Sequence, residues 1–145
     1  MIHFARENLD SFLTESYELM IENNNEINLF GSVLQPDFDS YYNLEKNDSL
    51  ICFTARSDER IIGYAIFMIY NHMHHLSIKV AHQDMIYVAP KYRVSGIKFI
   101  RYTEKALKEI GVNVILQAAP KISRLGGVLT RLGYIEMETI YTRKL

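Results

Sequence analysis

The fold is decided by the stretch Asp84-Met85-Ile86-Tyr87-Val88-Ala89-Pro90-Lys91-Tyr92-Arg93-Val94-Ser95-Gly96-Ile97-Lys98-Phe99-Ile100. It predicts a β-strand that stops before Pro90, a short loop, and the start of a strong helix. The first amides of a helix have no partner within the helix, and the helix dipole is positive at that end. With Gly96 permitting close approach, the loop predicts a cradle for an anion such as a pyrophosphate. An ordinary strand-to-helix turn carrying a surface arginine is the alternative that spacing alone leaves open.

The segment after this loop carries the clearest helical pattern in the chain. Its apolar face is made by Phe99, Ile100, Thr103, Ala106, Leu107 and Ile110. Glu104 is spaced to pair with Lys108 on the helix surface, and Gly111 is a typical helix end. Three further elements are predicted downstream: a buried strand at 112–118, a helix at 122–132 and an alternating strand at 134–143. The chain therefore ends in an α/β unit.

The N-terminal half predicts two helices followed by antiparallel strands. Apolar residues recur at three- and four-residue steps along the first helix, at Leu9, Phe12, Leu13, Tyr17, Met20 and Ile21. The polar run 22–26 is expected to end that helix. A second, short helix is predicted to start at Pro36-Asp37, with Phe38, Tyr41 and Tyr42 on one side. Strands are then predicted at 50–55, 60–70 and about 77–88.

Composition narrows the class of protein. With 145 residues, 48% of them hydrophobic and 23% charged, the chain is predicted to form a single domain over residues 1–145. The net charge is -1 and the basic residues are scattered, which argues against nucleic acid as a partner. The only cysteine, Cys52, is predicted to be a buried structural thiol. No secretory signal or membrane-length apolar run is present, so a cytoplasmic protein with no membrane partner is expected.

The strand ending in Val-x-Pro, the Tyr-Arg pair, the glycine-containing loop and the long helix resemble the acetyl-CoA-binding motif of the GNAT N-acetyltransferases. The order of the other elements agrees, and so does Arg131-Leu132-Gly133-Tyr134 before the last predicted strand. The resemblance covers nearly the whole chain and is most specific over 84–111. Within the family, the strand at 84–90 and the ending at 133–145 look most similar to small members encoded by bacteriophages.

This resemblance implies an α/β (α+β) GNAT fold, in which a mixed central sheet, flanked by helices, is splayed at the cofactor site. It also implies acetyl-CoA as cosubstrate and a direct transfer of the acetyl group to an amine, whether of a small molecule or of a protein. The residues implied to surround the pyrophosphate are Arg93, Val94, Ser95, Gly96, Ile97 and Lys98. Ile86, Tyr87 and Val88 would run beside the pantetheine arm, which inserts into the splay like an added strand.

Two departures from the family pattern bear on activity. Lys98 stands where the loop usually ends in glycine or alanine, and Leu129 stands where the family often has a tyrosine that protonates the departing thiolate. Tyr141, or Tyr102, is offered as a substitute acid. A catalytically inactive binding protein that keeps CoA as a structural ligand is the alternative function.

Attack on a thioester needs a neutral amine, so a base must remove a proton. The candidates are His82 and Asp84, which share a strand face with Ile86 and Val88 if the period of two is unbroken. A histidine titrates near neutrality, whereas Asp84 would need a raised pKa or would orient a water or the amine. Asp84 capping a turn, with His82 in solvent, is the structural alternative.

Two groups of residues have open roles. The histidines His72, His74 and His75 are more typical of an exposed hairpin than of a metal site, so no metal is predicted. The aromatic side chains Phe38, Tyr41 and Tyr42 are expected either to pack in the core or to form a wall for the acceptor. Exposed edge strands make a homodimer possible.

Overall fold

The computed structural model describes residues 1–28 and 30–145, and its centre is a five-stranded mixed sheet in the order β1-β2-β3-β4-β5. The strands are β1 (Ile2–Glu7), β2 (Leu50–Ser57), β3 (Arg60–His72), β4 (His75–Val88) and β5 (Val114–Leu116). The first four pair antiparallel with their neighbours, whereas β5 runs parallel to β4. A mixed α/β sheet was predicted, and it is confirmed.

Helices cover both faces of this sheet. They are α1 (Leu9–Ile27), α2 (Phe38–Lys46), α3 (Gly96–Glu109) and α4 (Leu125–Arg131), with a 3-10 helix at Pro90–Ser95 leading into α3. Asn8 caps α1 by accepting from the Ser11 amide at 3.0 Å, and Asp37 caps α2 by accepting from the Ser40 amide at 3.0 Å. Among the helices of the described residues, none is long and apolar enough to cross a membrane.

Two separate cores hold the layers together. On the α1–α2 face, side chains of α1 pack against Cys52, Tyr64, Ile66 and Tyr87. On the α3 face, Phe99 and Leu107 pack against Phe53, Phe67, Ile86 and Val88. Cys52 is 1% exposed and burial raises the pKa of its thiol, as expected of the structural cysteine that the sequence predicts.

Two predictions about the N-terminal part were wrong. β1 was not predicted, because its short sequence has no clear alternation and it forms by pairing with β2 along its whole length. The polar run 22–26 does not end α1, which continues to Ile27. Its polar side chains make tertiary hydrogen bonds instead: Asn23 Nδ2 donates to the Tyr64 hydroxyl at 3.3 Å, and Glu22 accepts from Tyr87.

The C-terminal part is less regular than predicted. The strand expected at 112–118 is reduced to Val114–Leu116, and the helix expected at 122–132 to Leu125–Arg131. The strand expected at 134–143 is wrong, since this segment has no regular secondary structure in the described residues. An alternating sequence forms a strand only where it can pair with the edge of a sheet. Here the segment does not pair, and its apolar side chains, such as Ile135 and Met137, are exposed.

An ion pair fastens β1 to β2 and to α1. The Arg56 guanidinium donates to Glu7 at 2.7 and 3.0 Å and to Glu15 at 2.9 Å. The Thr54 hydroxyl also donates to Glu7, at 2.5 Å. The hydrogen bond from Arg56 is the main reason that the pKa of Glu7 lies below its usual value.

We expect Gly63→Ala to destabilise the fold, because a Cβ at this position would lie 2.9 Å from the Tyr87 carbonyl oxygen, a backbone atom that cannot move aside. The expected loss is about 1 to 3 kcal/mol in the free energy of unfolding, measured by urea denaturation. Gly127→Ala, in α4, is the matched control because nothing lies within 4 Å of its added Cβ. It should be neutral or gain up to about 1 kcal/mol, and equal losses in both variants would contradict the close approach of β3 to β4.

We expect the contribution of Glu7 to stability to depend on pH. Because its folded pKa is lowered, the stabilisation is present above the ordinary glutamate value of 4.5 and is lost as the pH falls through the lowered value. Glu7→Gln should therefore cost about 1 to 2 kcal/mol at pH 7, by urea denaturation, and this cost should shrink as the pH falls below 4.5 through the lowered pKa. Glu15→Gln, at the exposed carboxylate on the same arginine, should cost less than about 1 kcal/mol.

Candidate functional site

The sheet splits between β4 and β5. The two strands pair over three rungs only, Val80 with Val114, Ala81 with Ile115 and His82 with Leu116. β4 then continues from Gln83 to Val88 while β5 ends, so this edge of β4 has no strand beside it among the described residues. The predicted splay is confirmed, and it opens towards the start of α3.

Backbone groups of β4 face this split. Ala89 donates to the Ile62 carbonyl oxygen at 2.9 Å, on the β3 side. Neighbouring residues of a strand direct their backbone groups to opposite sides, so Val88 and Ile86 present theirs to the split. An extended ligand can therefore pair with β4 as an additional strand would.

The predicted loop is a 3-10 helix that runs directly into α3. Gly96 has helical φ and ψ of -58° and -40°, and its amide donates to the Arg93 carbonyl oxygen. Any residue can adopt this conformation, so the backbone here does not require a glycine. The space above it is open, since a Cβ added there would meet nothing within 4 Å. Ser95 makes no side-chain cap, which leaves the positive end of α3 clear of any side-chain oxygen from that residue.

The charges around this helix start are not equivalent. Arg93 is held by Glu26 at the end of α1 through two contacts of 2.7 and 2.6 Å, and its Nε donates to the Val88 carbonyl oxygen at 3.2 Å. Its guanidinium also lies 5.7 Å from the centre of the Tyr87 ring. Lys98 is exposed on the first turn of α3 and forms no ion pair within the described residues. Lys98 is therefore available to an anion, whereas Arg93 is held beside β4 by Glu26 and the Val88 carbonyl.

A β-bulge at Asp84 overturns the unbroken period of two. Met85 pairs with Ile66 and Gln83 with Phe67, which leaves Asp84 as an extra residue in β4. Ile86 and Val88 consequently pack on the α3 face. Asp84 does not share their face, because its carboxylate reaches α2 on the opposite side of the sheet.

Asp84 is paired with an aromatic side chain of α2. The Tyr41 hydroxyl donates to Asp84 Oδ2 at 2.5 Å, and burial, followed by this hydrogen bond, raises the pKa of Tyr41 well above its usual value. Asp84 itself is exposed. A carboxylate that is fixed on one oxygen and open to solvent is suited to hold a cationic group.

Residues 10–121 match the Acetyltransferase (GNAT) family. The chain belongs to this family. Among solved structures, it is similar to the aminoglycoside acetyltransferase meta-AAC0020 from an uncultured soil metagenomic sample, with a TM-score of 0.76, 15% identity, and coverage of 99% of this chain and 96% of that one. No curated protein sequence matches it.

Two further GNAT-fold structures cover nearly the whole chain. Ribosomal-protein-alanine N-acetyltransferase from Brucella melitensis biovar Abortus 2308 has a TM-score of 0.74 and 18% identity, over 100% of this chain and 99% of that one. A predicted acetyltransferase from Clostridium acetobutylicum, solved with acetyl-CoA, has a TM-score of 0.71 and 16% identity, over 99% and 96%. At these identities the likeness establishes the GNAT fold.

The other residues proposed for GNAT chemistry are spread out. His82 is exposed on β4, with Nδ1 at 3.2 Å from the Tyr70 hydroxyl. Tyr102 packs against Phe4 and Phe53, towards β1 and β2 and away from the split. Tyr141 is 90% exposed in the irregular C-terminal segment, and its role stays a prediction.

Leu129, at the position where the family often has a tyrosine, lies in an apolar and buried environment. Leu129 is 6% exposed and belongs to the interior side of α4. Tyr134 lies close to the end of β5, where its hydroxyl accepts from Gln117 Nε2 at 2.9 Å. Burial, followed by a hydrogen bond to Glu104, raises the pKa of Tyr134 above its usual value.

The structure places the histidines in the β3–β4 hairpin and the aromatic residues of α2 against α1 and β4. His72 and His75 face each other across the β3–β4 hairpin with ring centres 5.1 Å apart, and among the described residues no group of three or more His, Cys, Asp or Glu side chains is arranged to hold a metal ion. Phe38 packs beside Tyr17 at 6.3 Å. Tyr41 packs against the α1–α2 core, and its hydroxyl contacts Asp84, while an aromatic wall for the acceptor stays a prediction.

Sequence reasoning missed three features of the site: Glu26 as the partner of Arg93, Tyr41 as the partner of Asp84, and the bulge. Glu26 belongs to the polar run 22–26, which the sequence predicts as the end of α1, so no partner was assigned to it. The bulge has no glycine or proline to indicate it, and only the register with β3 reveals it.

Proposed function

We propose that this protein is an N-acetyltransferase that passes the acetyl group of acetyl-CoA directly to an amine, without a covalent enzyme intermediate. The observation that carries the proposal is the split after His82, where the free edge of β4 leads to the start of α3. Membership of the GNAT family supports the same reaction class.

The residues around the split fit the cosubstrate. Acetyl-CoA supplies a thioester carbon that an amine can attack. The pantetheine arm would run beside Ile86, Tyr87 and Val88 and pair with the backbone groups of Ile86 and Val88 that face the split. The pyrophosphate would lie over Gly96, where the space is open. Lys98 would add a positive charge beside it, together with the amides of Val94, Ser95 and Ile97. Arg93 would order this loop through Glu26 and Val88.

The acceptor amine would approach from the α1–α2 face. Asp84 is open to solvent there, and Tyr41 fixes its orientation. Its carboxylate would attract the protonated amine and then take the proton, directly or through a water, so that the neutral amine attacks. His82 and Tyr70 contact each other farther along β4 and β3 and would border the same space.

The acceptor is proposed as an amine and no more narrowly. The structural neighbours include an aminoglycoside acetyltransferase and a ribosomal-protein-alanine N-acetyltransferase, and both kinds of acceptor carry an amine. A single domain over 1–145, a homodimer, a cytoplasmic location and the similarity to phage-encoded members stay predictions.

The direct test is calorimetry with acetyl-CoA, combined with release of free CoA thiol in the presence of a panel of amines. We expect binding and amine-dependent release for the wild type, and no detectable binding for Gly96→Glu, because a carboxylate would stand against the pyrophosphate. Gly96→Ala is the matched control, since its Cβ enters open space and adds no charge. It should keep the affinity within about threefold, given the small volume added.

Two outcomes would count against this arrangement. Unchanged binding in a folded Gly96→Glu variant would show that the pyrophosphate lies elsewhere. Binding to the wild type with no thiol release for any amine in the panel would favour the inactive protein that keeps CoA as a structural ligand.

We expect Asp84→Asn to lower kcat/KM for the amine by about 100-fold or more, because the group that takes the proton is removed. The Kd for acetyl-CoA should change by less than about threefold, since the bulge separates Asp84 from the α3 face. Asp39→Asn, at an exposed carboxylate in the first turn of α2, is the control and should leave both values unchanged. Equal turnover in Asp84→Asn and wild type would remove Asp84 from the reaction.

A further inference from the structure

Beyond Asp84, side chains on the α1–α2 side of the sheet are open to solvent. The last pair of β3 and β4 residues that packs in the α1–α2 core is Ile66 with Met85. Four side chains from β3, β4 and β5 follow on the same face: Met68, Tyr70, His82 and Val114. We call these four residues the open strip.

The open strip is mainly apolar and aromatic. Met68, Tyr70 and Val114 are 37%, 39% and 38% exposed, and His82 is exposed as well. The His82 ring lies beside Tyr70, with ring centres 6.3 Å apart and Nδ1 at 3.2 Å from the Tyr70 hydroxyl. A thioether next to two aromatic rings forms a surface on which another ring can stack.

One carboxylate borders this surface. Asp84 is the only acidic residue in β3, β4 and β5. Its carboxylate lies at the end of the open strip nearest α2, where the Tyr41 hydroxyl holds one oxygen. An ammonium group is favoured by an opposite charge beside it, and a polyamine or an aminoglycoside carries several such groups. The three strands therefore suit an acceptor with a single ammonium group.

We propose that the open strip binds the non-reacting end of the acceptor, and that the acceptor is a monoamine carrying an aromatic ring. This inference rests on the proposed function, in which Asp84 attracts the amine. From Asp84 to His82, β4 extends about 7 Å at roughly 3.4 Å per residue, so a linker of about two or three carbons places the ring on the strip. The open strip thereby selects among amines that Asp84 alone would treat alike.

The test compares kcat/KM for three amines, measured by release of free CoA thiol. Phenethylamine carries one ammonium group and a ring, ethylamine lacks the ring, and putrescine has a second ammonium group in place of the ring. For wild type, the value for phenethylamine should exceed that for either other amine by about tenfold or more, because the ring leaves water on the open strip.

Met68→Glu should reverse the preference between phenethylamine and putrescine. It puts a second carboxylate on the open strip, within reach of the second ammonium group of putrescine, and it removes an apolar contact from the ring. The ratio of the two kcat/KM values, phenethylamine over putrescine, should fall by about 30-fold or more.

Met73→Glu is the matched control. It makes the same change at a position that is 95% exposed, in the turn between β3 and β4. Its ratio should stay within about threefold of wild type, because a charge in open solvent is screened. Thermal unfolding identifies a variant that has lost its fold, and Tyr70→Glu, on the next rung of the open strip, replaces Met68→Glu if that variant does not fold.

The outcomes distinguish this inference from the function on which it rests. Wild type that acetylates ethylamine or putrescine as well as phenethylamine overturns the open strip while amine acetylation stands. Wild type that releases thiol only with amines outside these three has the same meaning. An unchanged ratio in a folded Met68→Glu or Tyr70→Glu variant also overturns it. No thiol release with any amine overturns the proposed function itself, and the inference with it.

Discussion

The structure depends on β4 being paired along one edge and only partly along the other. β3 pairs with it at ten positions between His75 and Val88, whereas β5 leaves it after three rungs. Backbone groups at a free edge need a partner, and an extended ligand can supply one. The close approach of Gly63 to Tyr87 and Val88 keeps β4 bound to β3 where β5 no longer supports it. The split therefore stays open without loosening the strand that borders it.

The bulge at Asp84 separates two kinds of chemistry along one strand. Without the extra residue, Asp84, Ile86 and Val88 would share a face, and the carboxylate would point into the α3 core. With it, the apolar residues bury themselves under α3, and Asp84 meets Tyr41 on the α1–α2 face. A solvent-exposed carboxylate and the free edge of β4 thus lie within three residues of each other, with the carboxylate on the side of the sheet opposite α3.

Sequence patterns predicted the parts of this arrangement that depend on local chemistry. The strand that stops before Pro90, the helix from Gly96 and the splayed α/β sheet all follow from hydrophobic period, a proline and the resemblance of the motif. What could not be predicted depends on pairing. β1 exists through its register with β2, the bulge through the register with β3, and the length of α1 through contacts such as Asn23 to Tyr64. Residues 134–143 alternate between apolar and polar side chains, but no neighbouring strand pairs with them among the described residues. The alternation alone therefore predicted a strand that does not form.

The contact between Arg93 and Glu26 connects the two sides of the site. Arg93 belongs to the segment over which the pyrophosphate would lie, while Glu26 belongs to the last turn of α1, a helix that packs on the opposite side of the sheet from α3. This loop is already held by the Val88 carbonyl and by an ion pair in which one guanidinium nitrogen of Arg93 contacts both carboxylate oxygens of Glu26. Such a loop loses less conformational entropy when an anion binds to it. The same contact makes the end of α1 sensitive to the loop, because moving Arg93 would release Glu26. The ion pair thus links the segment before α3 to the end of α1, and it gives the polar run at 22–26 a structural reason to be helical.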